Sequence, residues 1–462
     1  MREQLPEVRN KNWEEVACGY TPEEAMNEAA RCLGCKDPLC RKGCPVSVRI
    51  PEFLSLVTKG EFAEAYRVIR STNSLPAISG RVCPQETQCE GKCVRGLKGE
   101  PVAIGRLERF CADYAMAEGE ASTCSGSCTS CTGCTASSDK IKVAVVGSGP
   151  AGLSCAGDLA ARGYAVTVFE ALHKAGGVLV YGIPEFRLPK DIVAKEIRSL
   201  EDQGVEIQTD MVIGKILSVD ELFTLGYQAV FIASGAGLPK FMGIEGENAN
   251  GVYSANEFLT RINLMKAYRE DYGTPIRKGK AVAVVGGGNV AMDAARSAKR
   301  LGAEHVYIIY RRGEKEMPAR REEIHHAKEE GIEFLLLTNP TKINTDETGN
   351  VSSITCIRMA LGEPDASGRR SPIAVEGSEY DLTVDTVIIA MGTAPNPLIR
   401  MTTPGLETDK RGCFVTSDGT TTTREGVFAG GDAVTGAATV ILAMGAGRDA
   451  AEKIDQSLKS KQ

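Results

Sequence analysis

Two rhythms of apolar and polar positions run along the chain. Twice, a short run of small and β-branched apolar residues leads into glycines and then a helical pattern. These are Ile141-Lys-Val-Ala-Val-Val-Gly-Ser-Gly-Pro-Ala-Gly152 and Lys280-Ala-Val-Ala-Val-Val-Gly-Gly-Gly-Asn-Val-Ala291. A run with no polar alternation fits a strand covered on both faces, so each stretch predicts a parallel-sheet strand, a tight turn and a helix. The runs Ala165–Glu170 and His305–Tyr310 supply the next strand of each unit, and Val230–Gly235, Val387–Gly392 and Gly426–Asp432 are further strands ending in glycine. Before residue 120 the rhythm is helical. Thr21-Pro-Glu-Glu24 is a capping box with proline at the first helical position, opening an amphipathic helix that delivers Cys32 and Cys35 at its end. Helical patterns follow over 51–60 and 61–73.

These elements predict an α/β chain with two Rossmann-like dinucleotide-binding domains preceded by an α-helical domain. At 462 residues the chain has room for about three domains. We place the helical domain at 1–122, a cysteine-rich linker at 123–139, one nucleotide domain at 140–240 and 389–462, and the second, inserted into the first, at 241–388.

Composition narrows the chemistry. The net charge of −6 is spread over mixed acidic and basic residues without a basic block, so neither nucleic acid nor a membrane surface is an expected partner. With no apolar leader and no apolar run near the ~18 residues of a spanning helix, a soluble, cytoplasmic protein is expected, with nucleotides and other proteins as partners. Most of the sixteen cysteines fall between positions 18 and 134 at short intervals, which in a large nucleotide-binding chain favours metal ligation over disulfides. None of the four histidines pairs with a cysteine at zinc-finger spacing.

The cysteines read Cys32-x2-Cys35-x4-Cys40-x3-Cys44-Pro45 and then Cys83-x5-Cys89-x3-Cys93. This spacing suits two [4Fe–4S] clusters with crossed ligands. Seven cysteines do not divide into four-ligand zinc sites. Two clusters need eight ligands, and the eighth is Cys111, Cys18 or a carboxylate such as Glu108. A further knot, Cys124, Cys128, Cys131 and Cys134, lies among Ser, Thr and Gly. It is a candidate for an additional Fe–S cluster, with unligated linker thiols or zinc as alternatives.

In the first nucleotide fingerprint Gly147 makes the turn, Gly149 admits the pyrophosphate, Gly152 permits close helix–strand packing, and Glu170 reaches the ribose hydroxyls. Near the C-terminus Gly431 and Asp432 follow a strand, and Thr439 opens a helix. Asp432 is placed to bond a ribityl hydroxyl while the helix N-terminus faces the flavin, which makes the first site an FAD site. The second fingerprint has Gly286, Gly288 and Ala291, with Tyr310 where the acid would be, followed by Arg311 and Arg312. Loss of the acid and gain of guanidinium favour a 2′-phosphate and hence NADP(H), against a solvated basic turn. Arg320 and Arg321 are expected to add charge to that pocket. Hydride transfer at FAD needs no catalytic acid or base from the protein.

The arrangement resembles the glutamate synthase small-subunit family, which shares cores with the N-terminal half of dihydropyrimidine dehydrogenase. More narrowly, Tyr181–Lys190, Ser254–Tyr268 and Leu361–Arg370 are similar to the large subunit of NADH-dependent reduced ferredoxin:NADP+ oxidoreductase, the Nfn type. The resemblance implies that Cys32, Cys35, Cys40 and Cys93 hold one cluster, and that Cys44, Cys83, Cys89 and Glu108 hold the other. The cysteine knot at 124–134 departs from the family's plain linker. The implied function is an electron-bifurcating flavin and iron–sulfur subunit that passes electrons between NADP(H), ferredoxin and a partner flavoprotein. The alternative is the NADPH-oxidising small subunit of glutamate synthase, and a third reading is a redox-silent assembly or sensor module with NADP as ligand.

Overall fold

A computed structural model of the chain describes residues 2–119, 140–364 and 370–460. The first sheet is built from β1 (Lys142–Val146), β2 (Ala165–Phe169), β3 (Glu206–Gln208) and β4 (Tyr227–Ile232), all parallel. A short antiparallel pair, β5 (Leu238–Pro239) with β15 (Thr393–Ala394), ties together the two chain passages into the second unit. That unit carries β6 (Val252–Ser254), β7 (Ala281–Val285), β8 (His305–Tyr310), β9 (Glu333–Leu336) and β14 (Thr386–Ile389), parallel in the order β6-β14-β7-β8-β9. An antiparallel group extends it: β10 (Thr338–Thr345), β11 (Val351–Pro364), β12 (Arg370–Ala374) and β13 (Tyr380–Thr383). Finally β16 (Val427–Ala429) returns beside β4, giving the first sheet the order β16-β4-β1-β2-β3. The second nucleotide unit is thus inserted into the first.

The apolar runs fold as their chemistry requires. In β1 and β7 the last four residues are all buried, because both sheet faces are covered: Val282 and Val284 of β7 pack with helix residues such as Phe258 and Met292, and Ala283 and Val285 with Ile343 and Ile354 of the antiparallel group. The helix Pro22–Ala29 opens on the expected capping box, with Glu24 N donating to Thr21 Oγ1 at 3.2 Å and Thr21 N donating to Glu24 Oε2 at 2.7 Å. The helical patterns at 51–60 and 61–73 form Ile50–Thr58 and Phe62–Arg70.

The helical domain and the first nucleotide unit share one core. Phe53, Leu54, Ile69, Ile78 and Leu107 of the helical domain share a single buried cluster with Val143, Leu153, Leu179 and Met444 of the first nucleotide unit. Polar links cross the same boundary, Ala77 N donating to Glu196 Oε1 at 2.7 Å and Ser74 Oγ to Asp158 Oδ1 at 3.2 Å, so the cysteine-bearing domain is held on the first sheet unit by apolar packing and buried hydrogen bonds together.

Candidate functional site

Four of the predicted thiols meet in one place. Cys32, Cys35, Cys40 and Cys93 line a single small cavity with Ile50, Leu54 and Ile104 behind them. Each is partly accessible, and Leu33, Leu39, Val94 and Leu97 stand exposed close by in the chain. Burial pushes the Cys40 thiol up to about 11, and the neighbouring Cys93, Cys32 and Cys35 push in the same direction. Thiols that oppose one another's ionisation are well suited to a bound cation, which favours their thiolate forms, and iron supplies such charge.

The other set lies deeper. Burial first, then Glu108 and Cys44, raise the Cys83 thiol, while Cys89 feels Glu90, Glu108, Cys83 and Cys44. Glu108 is buried in the helix Ile104–Ala117, and burial lifts its carboxyl to about 7. Asn73 Nδ2 donates to its Oε1 at 2.9 Å, and Ser79 Oγ donates to the same oxygen. Both bonds hold one carboxylate oxygen and fix the rotamer. Cys111 is also buried but lies a turn along the same helix, and Cys18 is exposed. Cys44, Cys83 and Cys89 each feel the Glu108 carboxylate, which keeps it a candidate for the eighth ligand. Cys124, Cys128, Cys131 and Cys134 lie outside the described residues.

This deeper set adjoins the first nucleotide site. The turn after Cys44 packs on the helix Val440–Lys459, where a Cβ on Gly445 would lie 3.0 Å from Pro45 O. Arg448, one turn on, donates to Val46 O at 3.1 Å and to Thr72 O at 2.5 Å. The N-terminus of this helix carries Thr439, whose Oγ1 accepts from Leu442 N at 3.4 Å.

The loop at that end has the shape of a dinucleotide cradle. Gly147 has φ of +107°, and a Cβ on Gly152 would lie 1.9 Å from Gly147 O, so both positions demand glycine. Gly149 precedes the helix Pro150–Ala161 and has open space beside it. Glu170 accepts from Ser148 N at 3.0 Å, from Ser148 Oγ, and from Leu172 N at 2.8 Å. Asp432 follows Gly431, whose φ is +63°, and burial lifts its carboxyl to about 6 while Ala438 N donates to it at 3.2 Å. Burial pushes Tyr181 up to about 12, and the Glu170 and Asp432 carboxylates push in the same direction. A carboxylate at each end of a groove floored by glycine fits the two hydroxyl-bearing parts of FAD. Sequence reading missed the Gly176-Gly177 turn, where a Cβ on Gly177 would lie 2.9 Å from Gly149 Cα. The paired glycines after the acid were the available signal.

At the second cradle a Cβ on Gly286 would lie 2.4 Å from Ala390 O, Gly288 precedes the helix Asn289–Arg300, and Ala291 is buried within it. Tyr310 lies so close to Gly287 that a Cβ there would meet its ring at 2.7 Å, and its hydroxyl donates to Glu316 O at 2.8 Å. No carboxylate takes the ribose position at this residue. Arg311 is exposed, and Arg312 has a buried Nε without a hydrogen-bond partner among the described residues. An unsatisfied guanidinium nitrogen beside a dinucleotide loop fits an anionic ligand group.

The structure corrects one expectation. Arg320 does not turn into this pocket: its Nη1 donates to Arg81 O at 2.9 Å in the helical domain, and its Nη2 lies 2.5 Å from Glu322. The backbone N of Arg321 donates to Glu86 at 2.9 Å, while its side chain is exposed. Both residues start a helix that faces the cysteine domain, a placement that charge and chain proximity alone do not reveal.

Fold and site together define an FAD-, NADP- and iron–sulfur-dependent oxidoreductase subunit. Comparison with known proteins gives the family. The domain family described as dihydropyrimidine dehydrogenase domain II, 4Fe-4S cluster, matches residues 9–120, and pyridine nucleotide-disulphide oxidoreductase matches residues 141–447. The glutamate synthase [NADPH] small chain of Escherichia coli (strain K12) is 36% identical over 97% of this chain and 94% of its own length. The chain therefore belongs to the glutamate synthase small-chain family of pyridine nucleotide-disulphide oxidoreductases. It is 43% identical to the NADP(+)-dependent formate dehydrogenase subunit beta of Moorella thermoacetica over 91% of its residues, and spans 60% of that protein's length. Among solved structures, FprA from Mycobacterium tuberculosis in complex with NADPH shares the fold, with a TM-score of 0.59 and 21% identity over 70% of this chain and 85% of that one. No helix among the described residues is long and apolar enough to cross a membrane.

Proposed function

We propose that the chain is the electron-transfer subunit of a hetero-oligomer, moving electrons between NADP(H), FAD and two [4Fe–4S] clusters. The ligands in this reading are Cys32, Cys35, Cys40 and Cys93 for the outer cluster, and Cys44, Cys83, Cys89 and Glu108 for the inner. The observation that carries the reading is the contact of the Cys44-Pro45 turn with Gly445, on the helix whose N-terminus is Thr439. It supports a reading in which the deeper thiols lie beside the flavin groove, while the shallower set opens toward solvent among exposed leucines.

FAD, when bound, supplies the exchange between two-electron hydride chemistry and one-electron transfer. The protein's part is positioning. Glu170 and Asp432 hold the two ends of the cofactor, the helix beginning at Val440 directs its positive end at the ring, and Arg311 with Arg312 select the 2′-phosphate of the nucleotide. The finer reading is an electron-bifurcating transhydrogenase of the ferredoxin:NADP+ type, with ferredoxin and a second flavoprotein as partners. Similarity over nearly the full length of a glutamate synthase small chain favours the alternative, supply of NADPH electrons to a glutamate synthase large subunit.

Isolation of the native complex followed by anaerobic assay separates the two. Bifurcation requires NADP+ reduction that depends on both reduced ferredoxin and NADH, with a flavoprotein co-purifying. Co-purification of a large amidotransferase, with glutamate formation and no dependence on ferredoxin, contradicts it in favour of the alternative.

A further inference from the structure

Arg320 belongs to the second nucleotide unit, yet its side chain enters the cysteine domain. It is nine-tenths buried there, with its Nε 3.7 Å from Glu86 Oε2 and without a hydrogen-bond partner among the described residues. Its Nη1 bond to Arg81 O anchors it two residues before Cys83, where the helix Pro76–Val82 ends. Burial, Glu108 and Cys44 oppose ionisation of Cys83, and Arg320 acts against them. The backbone on the other side is tied to the nucleotide loop, since Arg320 N donates to Asn289 Oδ1 at 2.9 Å and Ala319 N donates to Gly287 O at 3.2 Å. A guanidinium is permanently charged, and in a dry interface it is screened far less than on the surface.

We infer that Arg320 is an electrostatic tuning residue supplied across the domain interface, raising the reduction potential of the cluster held by Cys44, Cys83, Cys89 and Glu108. A reduced cluster carries one more negative charge than an oxidised one, so a fixed positive neighbour stabilises the reduced state. Glu322, the partner of Nη2, moderates the effect. The inference rests on the ligand assignment proposed above.

The test is an anaerobic redox titration of the holoprotein followed by low-temperature EPR, with the outer cluster as internal control. Arg320→Gln is expected to lower the inner cluster's potential, changing its reduced-to-oxidised ratio at fixed potential about tenfold, or about 59 mV for one electron. Glu322→Gln is expected to move the same potential upward. The outer cluster should hold its value in both. An unmoved or raised inner potential in Arg320→Gln, at wild-type iron and sulfide content, overturns the inference. If that variant loses iron, Glu322→Gln decides, and a potential that does not rise overturns it. Cys83→Ala with undiminished iron and sulfide would overturn the ligand assignment itself, and the role of Arg320 with it.

Discussion

Tyr310 shows how a single side chain redirects a nucleotide site. Its ring lies against Gly287 and its hydroxyl donates to Glu316 O, so the last residue of β8 offers no carboxylate to ribose hydroxyls. Arg311 and Arg312 follow directly, and charge-assisted hydrogen bonds of this kind contribute about 1.5–3 kcal/mol each. Replacing both with Ala should therefore raise the KM for NADPH by about 100-fold or more, leaving the KM for NADH within a few-fold. Steady-state kinetics with a one-electron dye acceptor measures both, and equal rises would remove the 2′-phosphate assignment. The glycines, Glu170, Asp432 and the cysteine spacing were legible because each answers a local demand of backbone or ligand geometry. Arg320 was misread because its destination depends on how two domains meet. Asn73 and Ser79, which hold Glu108, carry no spacing signal at all.

At the scale of elements, the helix Val440–Lys459 connects the two chemistries, with Gly445 against the Cys44 turn and Gly447 against the helix Pro150–Ala161. A Cβ on Gly447 would lie 2.1 Å from Ala151 O, and backbone cannot yield as a flexible side chain would. Gly447→Ala should cost about 1–3 kcal/mol through overpacking and push the two helices apart. FAD content per chain should fall, and Tm should drop in a thermal melt. Full flavin occupancy with an unchanged melt would show that the close helix approach is not required. The parallel strands β1, β2, β4, β7, β8, β14 and β16 and the start of this helix were readable from continuous apolar runs and glycine turns, whereas the short strands β3, β6 and β9 were not. The antiparallel group β10–β13 was not, because its half-buried residues alternate imperfectly and β10, Thr-Asn-Pro-Thr-Lys-Ile-Asn-Thr, is mostly polar.

Across the whole molecule, the segment Tyr181–Lys190 acts as a clasp. Arg187 lies 2.7 Å from Asp293 and 2.9 Å from Glu323, both in the second nucleotide unit, while Arg300 and Arg296 stack over Phe186 at 3.8 and 4.7 Å. Glu330 gathers Arg9 at 3.0 Å, Arg296 at 2.8 Å and Arg300 at 2.7 Å, joining the N-terminal segment to the same network. Against its burial, the Arg296 and Arg300 guanidiniums hold Glu330 down to about 2. Removing one member would strand a buried charge, typically at about 3–5 kcal/mol, so the network fixes how the units sit on each other. With the continuous apolar core beneath the cysteine domain, this holds nucleotide loop, flavin groove and thiols in one arrangement.

The proposed electron path runs from NADPH through a bound flavin into clusters held by the N-terminal cysteines. Its most direct test is anaerobic addition of NADPH to the purified chain, followed in parallel by visible absorbance and low-temperature EPR. The flavin band is expected to bleach, together with the appearance of signals from two reduced [4Fe–4S] clusters that are lost in part when Cys40 or Cys83 is replaced with Ala. Bleaching without any cluster signal, in protein lacking acid-labile sulfide, would contradict it.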